Sequence, residues 1–461
     1  MVKLNLRDVA ELCGGTMLCG DPAKEVRSLS TDSRTMHKGD IFLALKGERY
    51  DGHDYAEVAL KKGAACVIGE SSKLKDIAKR NNRSTCLIEV GDTLAALHLL
   101  AQRYRAKFDI PIVAVTGSCG KTTTKDMLAE ILSRSRKTLK TTGNLNNLIG
   151  APLMVLRLDS KTRAAVIEIA SNAPGEIGRL AQIVSPSAGI ITNIGPVHLE
   201  GLGSIEGVFK EKTSLVPHIA SDGFLVIHEE DIPVERVQPL FGGKIVTFGL
   251  RDSAQFYAAD VRQDIKKGAK FLLNNQHPMK IPVFGTHNVL NALSAIAAAT
   301  ELGVTLEEIR EGLAAFAPAD MRMEVHSYRG ATIVNDAYNA NPRAMRESIS
   351  VIAAMPAKRR ILVLGDMLEL GEYAREAHRS LGQYVAKNNA DALYVRGNFS
   401  LDVRDGALES GMQAAQVCCC TDAAEIVDSL KKILRRGDVV LVKGSRGMHM
   451  EDVVQLLSKE G

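Results

Sequence analysis

At 461 residues the chain is too long for one hydrophobic core, so two to four domains are expected. Hydrophobic residues at 45% and charged residues at 24% are ordinary for a soluble globular protein, and 58 basic against 54 acidic residues leave a net charge of +4, too small a field to draw nucleic acid or a membrane surface. Aromatics at 4%, with no tryptophan, argue against a platform for stacking bases or sugars.

The chain opens on "MVKLNLRDVAELCGG", which lacks a charged segment followed by an apolar one, and no apolar run reaches membrane-span length. No membrane insertion and a cytoplasmic location are therefore expected. Eight cysteines at 13, 19, 66, 86, 119 and 418–420 show no zinc-type CxxC pairs, which fits reduced thiols. The run "CCC" after Val417 reads as the end of a buried strand.

Two breaks divide the chain: Pro111 ahead of an apolar run in "AKFDIPIVAV", and Pro318 behind a helical pattern in "AAFAPADMRMEV". They predict domains at 1–108, 109–317 and 318–461. The first mixes short strands such as "DIFLAL" with helices such as "YAEVALKKG". In the second, "IPIVAVTG" is a buried strand leading into a helix over 122–132, 164–171 and 188–195 are further buried strands, and "HNVLNALSAIAAATELG" is a helix ending at Gly303. In the third, "ATIVNDAY", "RRILVLGD", "ADALYVRG" and "DVVLVKGS" are strands separated by helical stretches. Both later segments read as parallel α/β domains.

Ligands gather at the carboxyl ends of strands in open α/β sheets. There the second segment places "TGSCGKTT", Thr116 to Thr123, whose spacing departs from the common phosphate loop: no glycine lies five residues before Gly120. Gly117 and Gly120 would still let backbone N–H groups reach phosphate oxygens at a helix N-terminus, Lys121 would reach a terminal phosphate, and the Thr122 hydroxyl would serve Mg²⁺. The alternative is a glycine-rich turn capped by Thr. Glu168, inside "VIEIA", needs a partner or a metal unless the strand end is partly exposed. His198 follows the third strand end as a second metal ligand or an ordinary loop histidine. Lys210 and Lys212 in "VFKEKTSL" read first as a solvated helical face. His287, Asn288 and Asn291 start a helix and would bond a nucleobase, or Asn288 would simply cap. Asp336, Asn339 and Asn341 in "NDAYNANP" suit ligand binding or turn chemistry, and Lys443, Ser445 and Arg446 in "KGSRG" form an anion-ready loop. In the first segment Ser33, Arg34 and His53 would hold a diphosphate or lie at the surface.

The loop "TGSCGKTT", with "EIA", "ITNIGPVHLEG" and "HNVLNA" in the same order, resembles the Mur ligases and their folylpolyglutamate synthase relatives, in which the compact loop is a family mark. "STDSRTMHKGDIFLALKGERYDGHDY", "DAYNANPRAM" and "LGDMLELG" are similar to the member that adds a dipeptide. The resemblance implies three domains: a mixed α/β N-terminal domain for a UDP-substrate, a central P-loop-type parallel-sheet domain for ATP, and a C-terminal Rossmann-like α/β domain for the incoming dipeptide. It implies an ATP- and Mg²⁺-dependent amide-bond ligase of peptidoglycan precursor synthesis, acting on UDP-MurNAc-tripeptide and D-Ala-D-Ala through an acyl phosphate, and expected as a monomer.

Carried over by position, Thr116, Gly117, Ser118, Cys119, Gly120, Lys121, Thr122 and Thr123 would hold the phosphates. Thr122, Glu168, His198 and Lys212 would hold metal, Asn288 and Asn291 the adenine. Arg322 and Asp336 would reach the nucleotide from the third domain. Asn339, Asn341, Lys443, Ser445 and Arg446 would lie near dipeptide and acyl phosphate, Ser33 and Arg34 near the uridine diphosphate, and Asn144 with the substrate. Several relatives carry a lysine carbamylated by CO₂ about fourteen residues after the metal-binding histidine, which is Lys212 here; the alternative is a plain cation. Two positions depart from the family: Met321 stands where glycine often precedes the arginine, and "IHEED" at 227–231 replaces an Asn-Ala-Asp type of sequence and receives no role. "DAYNANP" argues against the ligase of the third residue and against a folylpolyglutamate synthase. A nucleotide switch or transport ATPase would carry the longer phosphate loop and no third ligand-bearing domain.

Overall fold

The computed structural model describes residues 4–47, 49–80, 86–264 and 267–458; Glu48 of the "GERYDGHDY" stretch lies outside them. Three principal sheets divide the chain. The first has five strands in the order Thr16–Cys19, Leu87–Val90, Cys66–Glu70, Ile41–Leu43, Leu29–Ser30, parallel except for the first pair. Its last helix, Thr93–Arg105, packs on the second domain: the Tyr104 hydroxyl donates to the Leu158 carbonyl and Arg105 to that of Val184. One continuous apolar core therefore runs from Leu6 and Ile41 into Ile112, Ile167 and Leu180.

The central sheet has nine strands. Ile112–Thr116 lies between Ala164–Glu168 and Ala188–Ile191, and the parallel run continues through Phe224–His228, Lys244–Gly249 and Phe256–Asp264. The four strands from Ala164–Glu168 to Phe224–His228 are buried on both faces, which is why they read as unbroken apolar runs. Helices Lys121–Leu132, Thr286–Glu301 and Leu306–Ala315 cover one face through Met127, Ile131, Leu293 and Ile309. The sheet is not wholly parallel, as the sequence reading had it. Gly268–Leu273 and His277–Ile281 turn back as an antiparallel meander beyond Phe256–Asp264. Asn274 and Asn275 both have positive φ, 51° and 59°, within the three-residue connection 274–276 that reverses the chain.

The third sheet runs Glu324–Tyr328, Ala331–Asn335, Val439–Lys443, Arg360–Gly365, Ala392–Arg396, Val417–Cys420, parallel after the first pair, with apolar cores on both faces. The cysteine run is a correction: Val417–Cys420 is the edge strand, only Cys420 is buried, and Cys418 and Cys420 share one face with sulfurs 3.5 Å apart. The carboxyl ends of the second and third sheets face each other, and the pocket between them is where the singled-out residues meet.

Candidate active site

The strand Ile112–Thr116 delivers the loop 116–120 to the start of helix Lys121–Leu132. Its two glycines are required by space. A Cβ at Gly117, where φ is 140°, would sit 2.1 Å from the Thr192 hydroxyl, and one at Gly120, where φ is 78°, would sit 2.1 Å from Asn291 Oδ1. The neighbouring loop after strand Ala188–Ile191 shapes the turn: Ser118 N–H donates to the Asn193 carbonyl, Cys119 N–H to Asn193 Oδ1 at 2.9 Å, and Gly195 N–H to Ser118 Oγ. Lys121 curls over the loop and donates to the Gly117 and Ser118 carbonyls at 2.8 and 3.2 Å. Burial lowers its pKa while the Glu168 carboxylate pulls the other way. Thr122 and Thr123 line the pocket; the Thr116 hydroxyl is buried with no partner among the described residues.

Glu168 is 2% exposed, which removes the partly exposed alternative. Asn146 donates to its Oε1 at 2.8 Å, and Oε2 is buried with no partner among the described residues. A carboxylate oxygen held this way is costly unless a cation or a donor completes it. His198 lines the same pocket in the left-handed region (φ 49°), and its Nδ1 meets Glu369 of the third domain at 2.5 Å, leaving Nε2 for a ligand. Lys210 is exposed as a solvated lysine should be, whereas Lys212 on the same helix is 1% exposed. Lys212 Nζ donates to Ser171 Oγ at 2.9 Å, and burial, helped by the nearby charge of Lys121, lowers its pKa to about 7. The reading of both lysines as one solvated face is thus corrected for Lys212.

Helix Thr286–Glu301 begins after Gly285, so Asn288 does not cap it. Its amide donates to the Phe284 carbonyl and accepts from Asn291, and both asparagines line the pocket. His287 lies beside them, held neutral by burial, with Nδ1 lacking a partner among the described residues.

The third domain supplies the facing wall. Arg322 donates to Thr122 Oγ1 at 3.2 Å, and its guanidinium lies 4.1 Å over the Tyr338 ring. Asp336 is anchored by Lys443 Nζ at 2.5 Å and Ser348 Oγ at 2.6 Å. Asn341 caps helix Pro342–Ala354 by accepting from Ala344 N–H, with Pro342 in the first turn, and its amide donates to Cys119 Sγ. Turn and cap chemistry therefore explain Asn341 alongside any contact with substrate. Asn339 and Lys443 line the pocket; Ser445 and Arg446 lie beyond it, Ser445 bonded to Leu368 N–H and the Ala340 carbonyl, Arg446 to Glu451.

Other singled-out residues stand apart from this pocket. Ser33 is buried, with Lys62 on its carbonyl, and Arg34 is exposed against Asp32. His53 is neither surface nor free: Nδ1 meets Asp51 at 2.6 Å and Nε2 accepts from Glu70 N–H, so it ties a loop to a strand end. Asn144 is exposed, and Asn146 two residues on reaches the pocket instead. Sequence reasoning also passed over Asp231 and Arg343, which form an ion pair across the domain boundary. No signal in either segment announces that pairing.

The chain matches three family models along its length: "Mur ligase family, catalytic domain" over 25–105, "Mur ligase middle domain" over 115–299 and "Mur ligase, glutamate ligase domain" over 321–446. It is 34% identical over 461 residues to the UDP-N-acetylmuramoyl-tripeptide–D-alanyl-D-alanine ligase of Bacillus subtilis (strain 168), covering 99% of this chain and 98% of that one. Among solved structures it resembles MurF from Acinetobacter baumannii, with TM-score 0.90, 30% identity and 99% of each chain covered. It also resembles MurF ligase from Thermotoga maritima in complex with ADP, with TM-score 0.84, 28% identity, and 94% and 98% covered.

Proposed function

The chain belongs to the Mur ligase family, and we propose that within it the protein uses ATP to join D-alanyl-D-alanine to UDP-N-acetylmuramoyl-tripeptide in peptidoglycan precursor synthesis. The observation that carries this reading is a single pocket between two domains. One wall is the phosphate loop, Glu168 and Asn288; the other is Arg322, Asp336, Asn339 and Lys443. A nucleotide switch has no use for that second wall.

The chemistry follows from the arrangement. The tripeptide carboxylate takes the γ-phosphoryl group of ATP, releasing ADP and leaving an acyl phosphate. The dipeptide amine then forms the amide bond, expelling phosphate and a proton. Every partner before the amine arrives is an anion, so positioning and charge neutralisation supply most of the rate. Lys121 and the N–H groups of Gly117, Gly120, Lys121 and Thr122 hold the phosphates, Asn288 and Asn291 meet the adenine, and Arg322 and Asp336 reach the nucleotide from the third domain. Asn339, Asn341, Lys443, Ser445 and Arg446 set the dipeptide side. Ser33, Arg34 and Asn144 serve the UDP-substrate from the first domain and its neighbour, and the domains divide the three substrates at 1–108, 109–317 and 318–461.

The partnerless buried oxygen of Glu168 fits a hard cation, as do the Thr122 hydroxyl and the remaining nitrogen of His198 on the same pocket. Mg²⁺ held there would neutralise charge on the phosphates. Lys212 meets the requirement for carbamylation, since an amine must be neutral to add CO₂, and a pKa of about 7 leaves a large neutral fraction. Its carbamate would be a further anionic ligand. Buried thiols such as Cys13 and Cys66 fit a reducing, cytoplasmic setting, and no helix among the described residues is long and apolar enough to cross a membrane.

Phosphate release tests the assignment. It should require the UDP-tripeptide and rise further with dipeptide present; release from ATP alone at an equal rate would instead mark a nucleotide-driven switch.

A further inference from the structure

Arg343, in the first turn of helix Pro342–Ala354, crosses to the second domain. Its guanidinium donates to the Asp231 carboxylate, to the Ile194 carbonyl at 3.4 Å and, on its own helix, to Glu347 at 2.9 Å. On its own side Asp231 lies 3.0 Å from Nδ1 of His228, which is 4% exposed and out of line for a hydrogen bond. The loop that Arg343 touches is the one that shapes the phosphate loop, through Asn193 to Cys119 and Gly195 to Ser118. The fit is close, since a Cβ at Gly195 would come 3.4 Å from Arg343 Cδ. Two residues earlier, Asn341 touches Cys119 of the phosphate loop itself.

We infer that Arg343 is a positioning residue: pinned by Asp231 across the domain boundary, it keeps the third-domain loop 336–341 in register with the phosphate loop, and so sets where the incoming amine meets the activated carboxylate. This rests on the ligase reading above. Exposed ion pairs contribute little, but these side chains are only 24% and 19% exposed, and the guanidinium serves three acceptors. What it secures is alignment, and a misplacement of about 1 Å can cost roughly a hundredfold in rate.

The test is a double-mutant cycle on the full chain: Asp231→Asn, Arg343→Met, and the two combined. Steady-state constants for each substrate and Tm are measured for all four proteins. Each single variant should lower kcat/KM for the dipeptide by about tenfold, equivalent to about 1.4 kcal/mol. KM for the UDP-substrate, held by the first domain, should stay within about twofold, and the double variant should lose no more than about as much as either single one. The inference is overturned if the single losses add in the double variant, if all substrates are affected alike as Tm falls, or if the variants match the unaltered enzyme. An unaltered enzyme showing no dipeptide-dependent turnover would instead overturn the ligase reading itself.

Discussion

At the scale of residues, the site turns on a few side chains that burial makes expensive. Lys121 bonds two loop carbonyls within the pocket, where burial lowers its pKa. Lys121→Ala should lower turnover by at least about a hundredfold, in line with loss of one aimed charge donor, while Tm moves by no more than a few degrees. Near-normal turnover would remove the loop from the mechanism. Lys212→Ala should lose most activity, and a small carboxylic acid such as acetate should restore part of it if the residue acts as a carbamate; a cation role predicts loss without rescue. Residue types at strand ends made the pocket positions of Lys121 and Glu168 legible from the sequence, and the start of a helical pattern did so for Asn288. The burial that separates Lys212 from Lys210 was not, because two lysines two places apart look alike until the helix is packed. The Asp231–Arg343 pair was beyond reach, lying 112 residues apart in different domains.

At the scale of elements, the inner parallel strands were legible because burial on both faces leaves only apolar residues. The meander over 256–281 was not: Phe256–Asp264 carries exposed charged side chains at its far end, and its hairpin turn is Asn-Asn-Gln rather than the more recognisable Asn-Gly. In the third sheet, Asp438 stands at the start of Val439–Lys443 with its side chain 1% exposed, held by Arg359 and by the Arg435 N–H at 2.8 Å. Burial alone would raise its pKa, but these donors outweigh it and lower the folded value. The folded carboxyl therefore gives up its proton more readily than the unfolded one. Its stabilising effect is complete above the unfolded value of about 3.9 and is lost as pH falls through the folded value. Asp438→Asn should cost about 1–3 kcal/mol at pH 7 and much less at low pH, read by urea unfolding at both. An equal loss at both would show that the pair is not what stabilises this strand.

At the scale of the molecule, the pocket lies between the second and third sheets and belongs to neither alone. Polar contacts that hold the third domain against the second include Arg322 on Thr122, Glu369 on His198, Asn341 on Cys119, and Arg343 on Asp231 and the Ile194 carbonyl. Thr122, His198, Cys119, Arg322, Asn341 and Arg343 also line the pocket, so the surface that binds ligands helps hold the domains together. The first and second domains share one large apolar core, whereas the third is set against them by these polar contacts and by Phe284, which packs into its core. That the chain would build separate parallel sheets was legible from the changes of pattern; the angle between them was not, since it rests on side-chain pairs rather than on periodicity. The central claim is that this pocket joins an amine to a phosphorylated carboxylate. Mass spectrometry of a reaction containing ATP, UDP-MurNAc-tripeptide and D-Ala-D-Ala tests it most directly. The account predicts one new UDP-linked species, the sum of tripeptide substrate and dipeptide less one water, with ADP and phosphate formed in equal amount. ADP and phosphate accumulating while the UDP-tripeptide keeps its mass would contradict it.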